Sequence, residues 1–276
     1  MVKNNDIHNL KILKIYSSIA YLFAYLAVYL SYNLITALVG RFYHIQTILF
    51  HNKLQFITKD YSHLWNFETA FFVFSSGTIV FTIIVLILLK VYNYYEKYEG
   101  IFKIFLFWII LHIINRIVGL LIIGTIFDLY FLNVLFDWLF VDYWVRNMFV
   151  IIVLFLIFVI GKRSTRPLLL SARSFKFVKQ NTRIFFIEAQ AFKAWCISSI
   201  IIFIFHLPSF SYAENLLSVS MFLLILPTYY NYKSIKFPVF EIESEDTKYK
   251  VPWSNIISIL VFIVLFRVLL IKGISF

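Results

Sequence analysis

The chain alternates long apolar stretches with short charged ones. A helix needs roughly 20 mostly apolar residues to cross hydrocarbon. Spans of that kind are expected over residues 15–40, 69–89, 104–127, 143–161, 194–207, 216–232 and 253–270. Pro208 should end the fifth, because proline lacks the N–H that continues a helix. The expected fold class is all-α, a polytopic transmembrane helical bundle of about seven spans, six at the fewest. It forms a single integral membrane domain over residues 1–276 with a basic cytoplasmic loop over 162–193.

Composition agrees with the pattern. Of 276 residues, 62% are hydrophobic and only 14% charged, which excludes an ordinary water-soluble enzyme. The net charge of +11 becomes informative once it is sorted by loop. With the N-terminus cytoplasmic, 18 Lys and Arg fall on the inner side and 6 on the outer, leaving Arg116 inside a span. That asymmetry predicts N-inside, C-outside. The polar N-terminus and the long first span read as a retained anchor, not a signal peptide. No internal repeat points to an inverted-repeat transporter.

The loop GKRSTRPLLLSARSFKFVKQNTRIFFIEAQ interleaves Lys162, Arg163, Arg166, Arg173, Lys176, Lys179 and Arg183 with Leu168, Leu169, Leu170, Phe175, Phe177, Phe185 and Phe186. Cations alternating with apolar side chains fit anionic lipid headgroups, each cation adding about 1 kcal/mol near the surface. Basic charge without a binding motif does not point to nucleic acid. Residues 41–67 are expected to rest in the interface as one or two short amphipathic elements, and EIESEDTKYK as a solvated loop or short hairpin.

Tests for chemistry give little. One cysteine, Cys196, excludes an internal disulfide and multi-cysteine metal sites, and it reads as a small core residue. No pair of histidines has the spacing and intervening glutamate of a zinc protease; His44, His51 and His63 near Glu68 offer only a loose alternative. Ser75 or Ser76 with His112 would be a thin serine route, and Ser75, Thr78 and Thr82 read better as a packing face. No catalytic residue, metal ligand or cofactor is therefore expected.

The third span carries the chain's most unusual feature. Trp108, His112, Asn115, Arg116, Gly119 and Ile123 share one helical face, placing a guanidinium at membrane depth. An unpaired Arg there costs at least about 2.5 kcal/mol, so Arg116 requires a partner. Asp128 is about three turns away, which leaves Glu68, Asp137 or Asp142 as candidates. The cluster His112, Asn115 and Arg116 serves either as a structural polar knot or as a cavity for an anion, a lipid headgroup or a proton.

The stretches SSGTIVFTIIVLILL (75–89), LFWIILHIINRIVGLLIIGTIF (106–127) and TRIFFIEAQAFKAW (182–195) resemble those of uncharacterised multi-pass inner-membrane proteins of Bacteroidota. Those proteins in turn faintly resemble site-2-type intramembrane metalloproteases, but His44-Ile45-Gln46-Thr47-Ile48 stands where the metal motif would fall. The resemblance implies a bacterial inner-membrane location and carries over no catalytic residue. The leading functional expectation is a non-catalytic subunit that binds other membrane proteins. The alternative is a small transporter or lipid-handling protein using the Arg116 face, and a degenerate intramembrane protease-like protein comes third.

Overall fold

The computed structural model describes residues 4–94, 101–129, 132–172, 177, 179, 181–233 and 250–276. Helix α1, Asn4–Phe42, spans 39 residues and so about 58 Å. Its C-terminus closes with His44 in the left-handed region at φ 60, Ile45 N–H donating to Gly40 O and His44 N–H to Arg41 O. Those paired bonds satisfy carbonyls that a helix end otherwise leaves bare.

The chain then turns into strands β1 (Thr47–Leu49) and β2 (Leu54–Phe56), antiparallel with Leu49 opposite Leu54. The C-terminal strand β3, Ile274–Ser275, pairs with the other edge of β1, giving the order β2-β1-β3. The short elements expected over 41–67 are thus two β-strands, with burial alternating along them. Pairing satisfies backbone groups that an irregular segment at the membrane surface would leave exposed.

Helix α2 is Phe67–Tyr94, α3 Ile101–Phe127, α4 Leu132–Trp138 and α5 Tyr143–Leu170. Helix α6, Arg183–Ile187, runs through a π turn at Glu188–Phe192 into α7, Lys193–His206. Helix α8 is Tyr212–Tyr230 and α9 is Trp253–Leu270. Among the described residues, six helical segments are long and apolar enough to cross a membrane: α1, α2, α3, α5, the continuous α6–α7 and α9. Helix α8 runs beside α3 and α5 but is more polar, because Glu214, Ser218, Ser220 and Thr228 all turn inward. The molecule is therefore a polytopic helical membrane protein.

Helix α3 is the central element, packed on α1, α2, α5 and α8. The outward faces of α2, α5 and α9 are apolar: Ile83 and Leu86, Ile151 and Phe155, Val264 and Leu269 are all exposed. Acyl chains are as apolar as leucine, so those faces gain nothing by being buried against protein; close packing and polar contacts hold the helices together instead. At Gly161, a Cβ would overlap the Leu224 carbonyl oxygen, so α5 and α8 touch backbone to backbone. Thr228 Oγ1 donates to Gly161 O at 2.7 Å across the same contact.

The basic loop is less of a loop than its charges suggest. Helix α5 continues past residue 161 to Leu170, burying Leu168 and Leu169, and Phe177 packs on Phe186 with ring centroids 6.0 Å apart. Among the described apolar residues expected in the headgroup region, Leu168, Leu169, Phe177 and Phe186 are thus in the core, Leu170 is half-buried and Phe185 is exposed. The stretch EIESEDTKYK and residues Phe175, Arg173 and Lys176 lie outside the described residues, except Lys250 at the stretch's end. Pro208 does end its helix, with α7 stopping at His206.

Candidate functional site

The face expected on α3 points into the protein. Trp108 Nε1 donates to Ser17 Oγ at 2.8 Å, and Ser17 Oγ donates to the Gln190 carbonyl at 2.5 Å. That carbonyl belongs to the π turn, whose displaced ladder frees acceptors for a neighbouring helix. His112 lies edge-on to Tyr21, centroids 4.3 Å apart, and to Tyr25 at 5.8 Å. Asn115 donates to Leu217 O at 2.7 Å and accepts from Ser220 Oγ at 2.9 Å, tying α3 to α8.

Arg116 is 1% exposed and its partner is Glu214, itself 3% exposed. Nη1 reaches both carboxylate oxygens, at 2.7 and 2.6 Å, and Nη2 donates to Asn33 Oδ1 at 3.2 Å. The guanidinium also lies over the Tyr32 and Tyr29 rings, 4.7 and 5.7 Å from their centroids. The candidates Glu68, Asp137 and Asp142 are corrected by this geometry: Asp137 pairs with Arg146 at 2.5 Å, and Asp128, set aside for its distance, accepts from Asn133.

Glu214 is held where a carboxylate is favoured. Ser211 caps α8 and accepts from the Glu214 N–H at 3.5 Å, placing Glu214 in the first turn, where the helix dipole stabilises negative charge. A second polar link lies alongside, with Tyr25 Oη 3.0 Å from His206 Nε2 and His206 Nδ1 2.9 Å from Asn215 Oδ1. Between these groups is a void of about 10 Å³ bordered by His112, Asn115, Arg116 and Ser218, the size of one water. His112 Nε2 and Arg116 Nε are both buried without a protein partner, which is what a bridging water would satisfy.

On the other side of Glu214 lies a much larger cavity of about 530 Å³. Glu214, Asn33 and Ser211 form its floor; Phe56, Trp65, Phe74 and Trp138 supply aromatic walls; Lys53, Asp60 and Asp137 add charge. Helix register explains the space. Arg116 sits 11 residues before the end of α3 and Glu214 only two past the start of α8, so the α8 start is set back from the α3 end by about 14 Å. The hairpin and α4 border the recess that results.

Among the described residues, no group of three or more His, Cys, Asp or Glu converges to hold a metal, so His44, His51 and His63 with Glu68 do not assemble. The Ser75 and Ser76 hydroxyls donate to Phe71 O and Val73 O of their own helix, while His112 faces tyrosines. Thr78 meets Tyr32 Oη at 3.2 Å, and Gly77 leaves room for that ring, since a Cβ would lie 2.7 Å from it. Cys196 is half-buried. Lys162, Arg163 and Arg166 are exposed on the last turns of α5, and Lys179 is exposed as well. Arg183 is buried and donates to Tyr232 O at 3.0 Å, so protein, not lipid, holds it.

Glu214, Asn33, Tyr29 and Tyr32 are the site residues that sequence reasoning missed. Two signals pointed to them. Ser211-Tyr212-Ala213-Glu214 has the spacing of a helix capping box. Tyr21, Tyr25, Tyr29 and Tyr32 form a stripe at helical spacing along the first span.

Fold and site together define a polytopic helical membrane protein with a buried Arg–Glu pair beneath an aromatic-walled cavity. No family model matches the chain, and neither curated proteins nor solved structures include a significant match.

Proposed function

We propose that the protein binds one small amphipathic molecule at the membrane surface, in the cavity above the Arg116–Glu214 pair, and acts as a lipid-handling or carrier protein. The observation that carries this reading is the cavity itself. Its volume of about 530 Å³ lies within the range of small-molecule sites, and the rings of Phe56, Trp65, Phe74 and Trp138 line it together with polar and charged groups. In this reading Asn115 and Arg116 position the floor and do not touch the ligand, because their partners are Leu217, Ser220, Glu214 and Asn33. A subunit role finds less support, since the exposed faces of α2, α5 and α9 are apolar in the manner that acyl chains cover.

We place the protein in a bacterial inner membrane with its N-terminus inside, on the 18-to-6 bias of Lys and Arg. Lys162, Arg163, Arg166 and Lys179 then meet anionic headgroups of the cytoplasmic leaflet, and the cavity opens on the opposite face.

Native mass spectrometry of the protein released from membranes tests the reading. Wild-type protein should retain one amphiphile per chain. An Ala213→Trp variant, which fills the cavity from its lining, should retain none while staying folded. A ligand-free wild type, or equal retention by both, would contradict it.

A further inference from the structure

We infer that His51 is an acid-sensitive latch: when the outer face is acidified the ring takes up a proton, the hairpin tip lifts, and the cavity releases its occupant. The movement follows from the hairpin itself, and only the release rests on the amphiphile reading.

His51 occupies the turn between β1 and β2. It is 2% exposed, lies edge-on to Phe205 of α7 with centroids 5.4 Å apart, and buries both ring nitrogens without a protein partner. Packing alone would be served better by phenylalanine, which strands no polar atom. What the imidazole adds at this place is the capacity to gain a proton just below neutral pH.

An imidazolium seated there has no counter-charge among the described residues. The charges that act on the ring are cations, Arg267 of α9 and, when protonated, His206 of α7. Lys53 lies two residues further along the turn, and Lys272 adjoins Gly273, which sits against the Ile48 and Phe50 side chains. Helix α1 contributes the phenol of Tyr29, and the segment after α7 contributes the uncharged Ser209. The terminal carboxylate belongs to Phe276, whose backbone pairs with Thr47 at the far end of β1. Glu214 is held by Arg116. A seated ring therefore stays neutral, a lifted ring titrates in water, and acid favours the lifted state.

The tip is tied down by side chains that a lifted turn would leave. Tyr29 Oη donates to Phe50 O at 2.7 Å, and Asn52 Nδ2 donates to Ser209 O and, at 3.0 Å, to Ser209 Oγ. Strand β2 stands at the edge of the sheet, paired with β1 alone. Lys53, Leu54, Gln55 and Phe56 line the cavity, so the tip takes part of that wall with it.

Hydrogen–deuterium exchange of the protein in phosphatidylcholine nanodiscs at pH 7.5 and 5.0, with rates corrected for intrinsic exchange, tests the latch. Protection over β1, the turn and β2 should fall about 10- to 30-fold at pH 5.0, the upper figure being the limit for one imidazole that titrates at about 6.5 when lifted and stays neutral when seated. Protection of α3 should stay unchanged. His51→Phe, which keeps an aromatic ring against Phe205, should show equal protection at both pH values. Asn52→Ala should lower protection at both and leave their ratio as in wild type. A wild-type fall smaller than about fivefold, an equal fall in His51→Phe, or a matching fall across α3 would overturn the latch. Native mass spectrometry at the two pH values reads the release: wild type should hold its amphiphile at pH 7.5 and lose it at pH 5.0, and His51→Phe should hold it at both. Retention at pH 5.0 by a wild type whose hairpin has loosened would overturn the release. An empty wild type at pH 7.5 would overturn the amphiphile reading and leave the latch standing.

Discussion

Removing the charge of Glu214 while keeping its shape is the most informative perturbation of the buried pair. In Glu214→Gln the side chain still reaches Arg116 Nη1, so the hydrogen bond persists and the ionic attraction is lost. Arg116 is then an unpaired guanidinium with 1% of its surface exposed, supported by Asn33 and two tyrosine rings. Breaking a buried pair from one side costs about 3–5 kcal/mol, and about 2.5 kcal/mol is the least expected for an unpaired Arg at membrane depth. Arg116→Met should cost a comparable amount by stranding Glu214. The double variant Arg116→Met/Glu214→Gln removes both buried charges and should fall within about 2 kcal/mol of wild type. Reversible unfolding in mixed micelles, titrated with sodium dodecyl sulfate and followed by circular dichroism, supplies the three values. Losses in the double variant that equal the sum of the singles would refute the claim that the two charges are held for each other.

Other parts of the molecule make independent predictions. Gly161→Val inserts atoms where the Leu224 carbonyl already sits, so it should cost about 1–3 kcal/mol and separate α5 from α8, measurable as a lower melting temperature in detergent. His51, buried at the hairpin tip against Phe205 with both ring nitrogens unpartnered, is held below its ordinary value of about 6.5 by burial, with Arg267 and His206 adding to the effect. The unfolded chain therefore binds the proton more readily. Stability should be fully present above about pH 6.5 and fall below it, His51 contributing at most about 1.4 kcal/mol per unit, a contribution that His51→Phe should remove in thermal melts at pH 5 to 7.5. In a Cys196→Ser background, a cysteine at Asp60 should react with an impermeant maleimide added outside intact cells. One at Lys179 should react only after lysis, and the reverse pattern would overturn the N-inside orientation.

The helices were legible because a span needs little more than an uncharged interval of sufficient length, and α9 begins and ends at the expected residues, 253 and 270. The polar face of α3 was legible for the same local reason, since Trp108, His112, Asn115 and Arg116 repeat at helical spacing. The partner of Arg116 was not, because Glu214 lies 98 residues away and stands at the edge of an apolar interval, where an anion reads as part of a loop. Only the tertiary set-back of α8 carries it to the depth of Arg116. The hairpin escaped because strands of three residues give too short an alternation to separate from an amphipathic turn, and its third strand comes from the far end of the chain. The cavity is legible in no single segment, being bordered by α1, β2, α2, α4 and α8 together.

The central claim is that the space between Trp65, Trp138 and Glu214 is a ligand site. An electron cryomicroscopy map of the protein in nanodiscs made from its native membrane lipids tests it most directly. Elongated density should fill the cavity, with its polar end toward Glu214 and its body against Trp65 and Phe74. A cavity closed by inward movement of Trp138, or one containing water alone, would contradict the account.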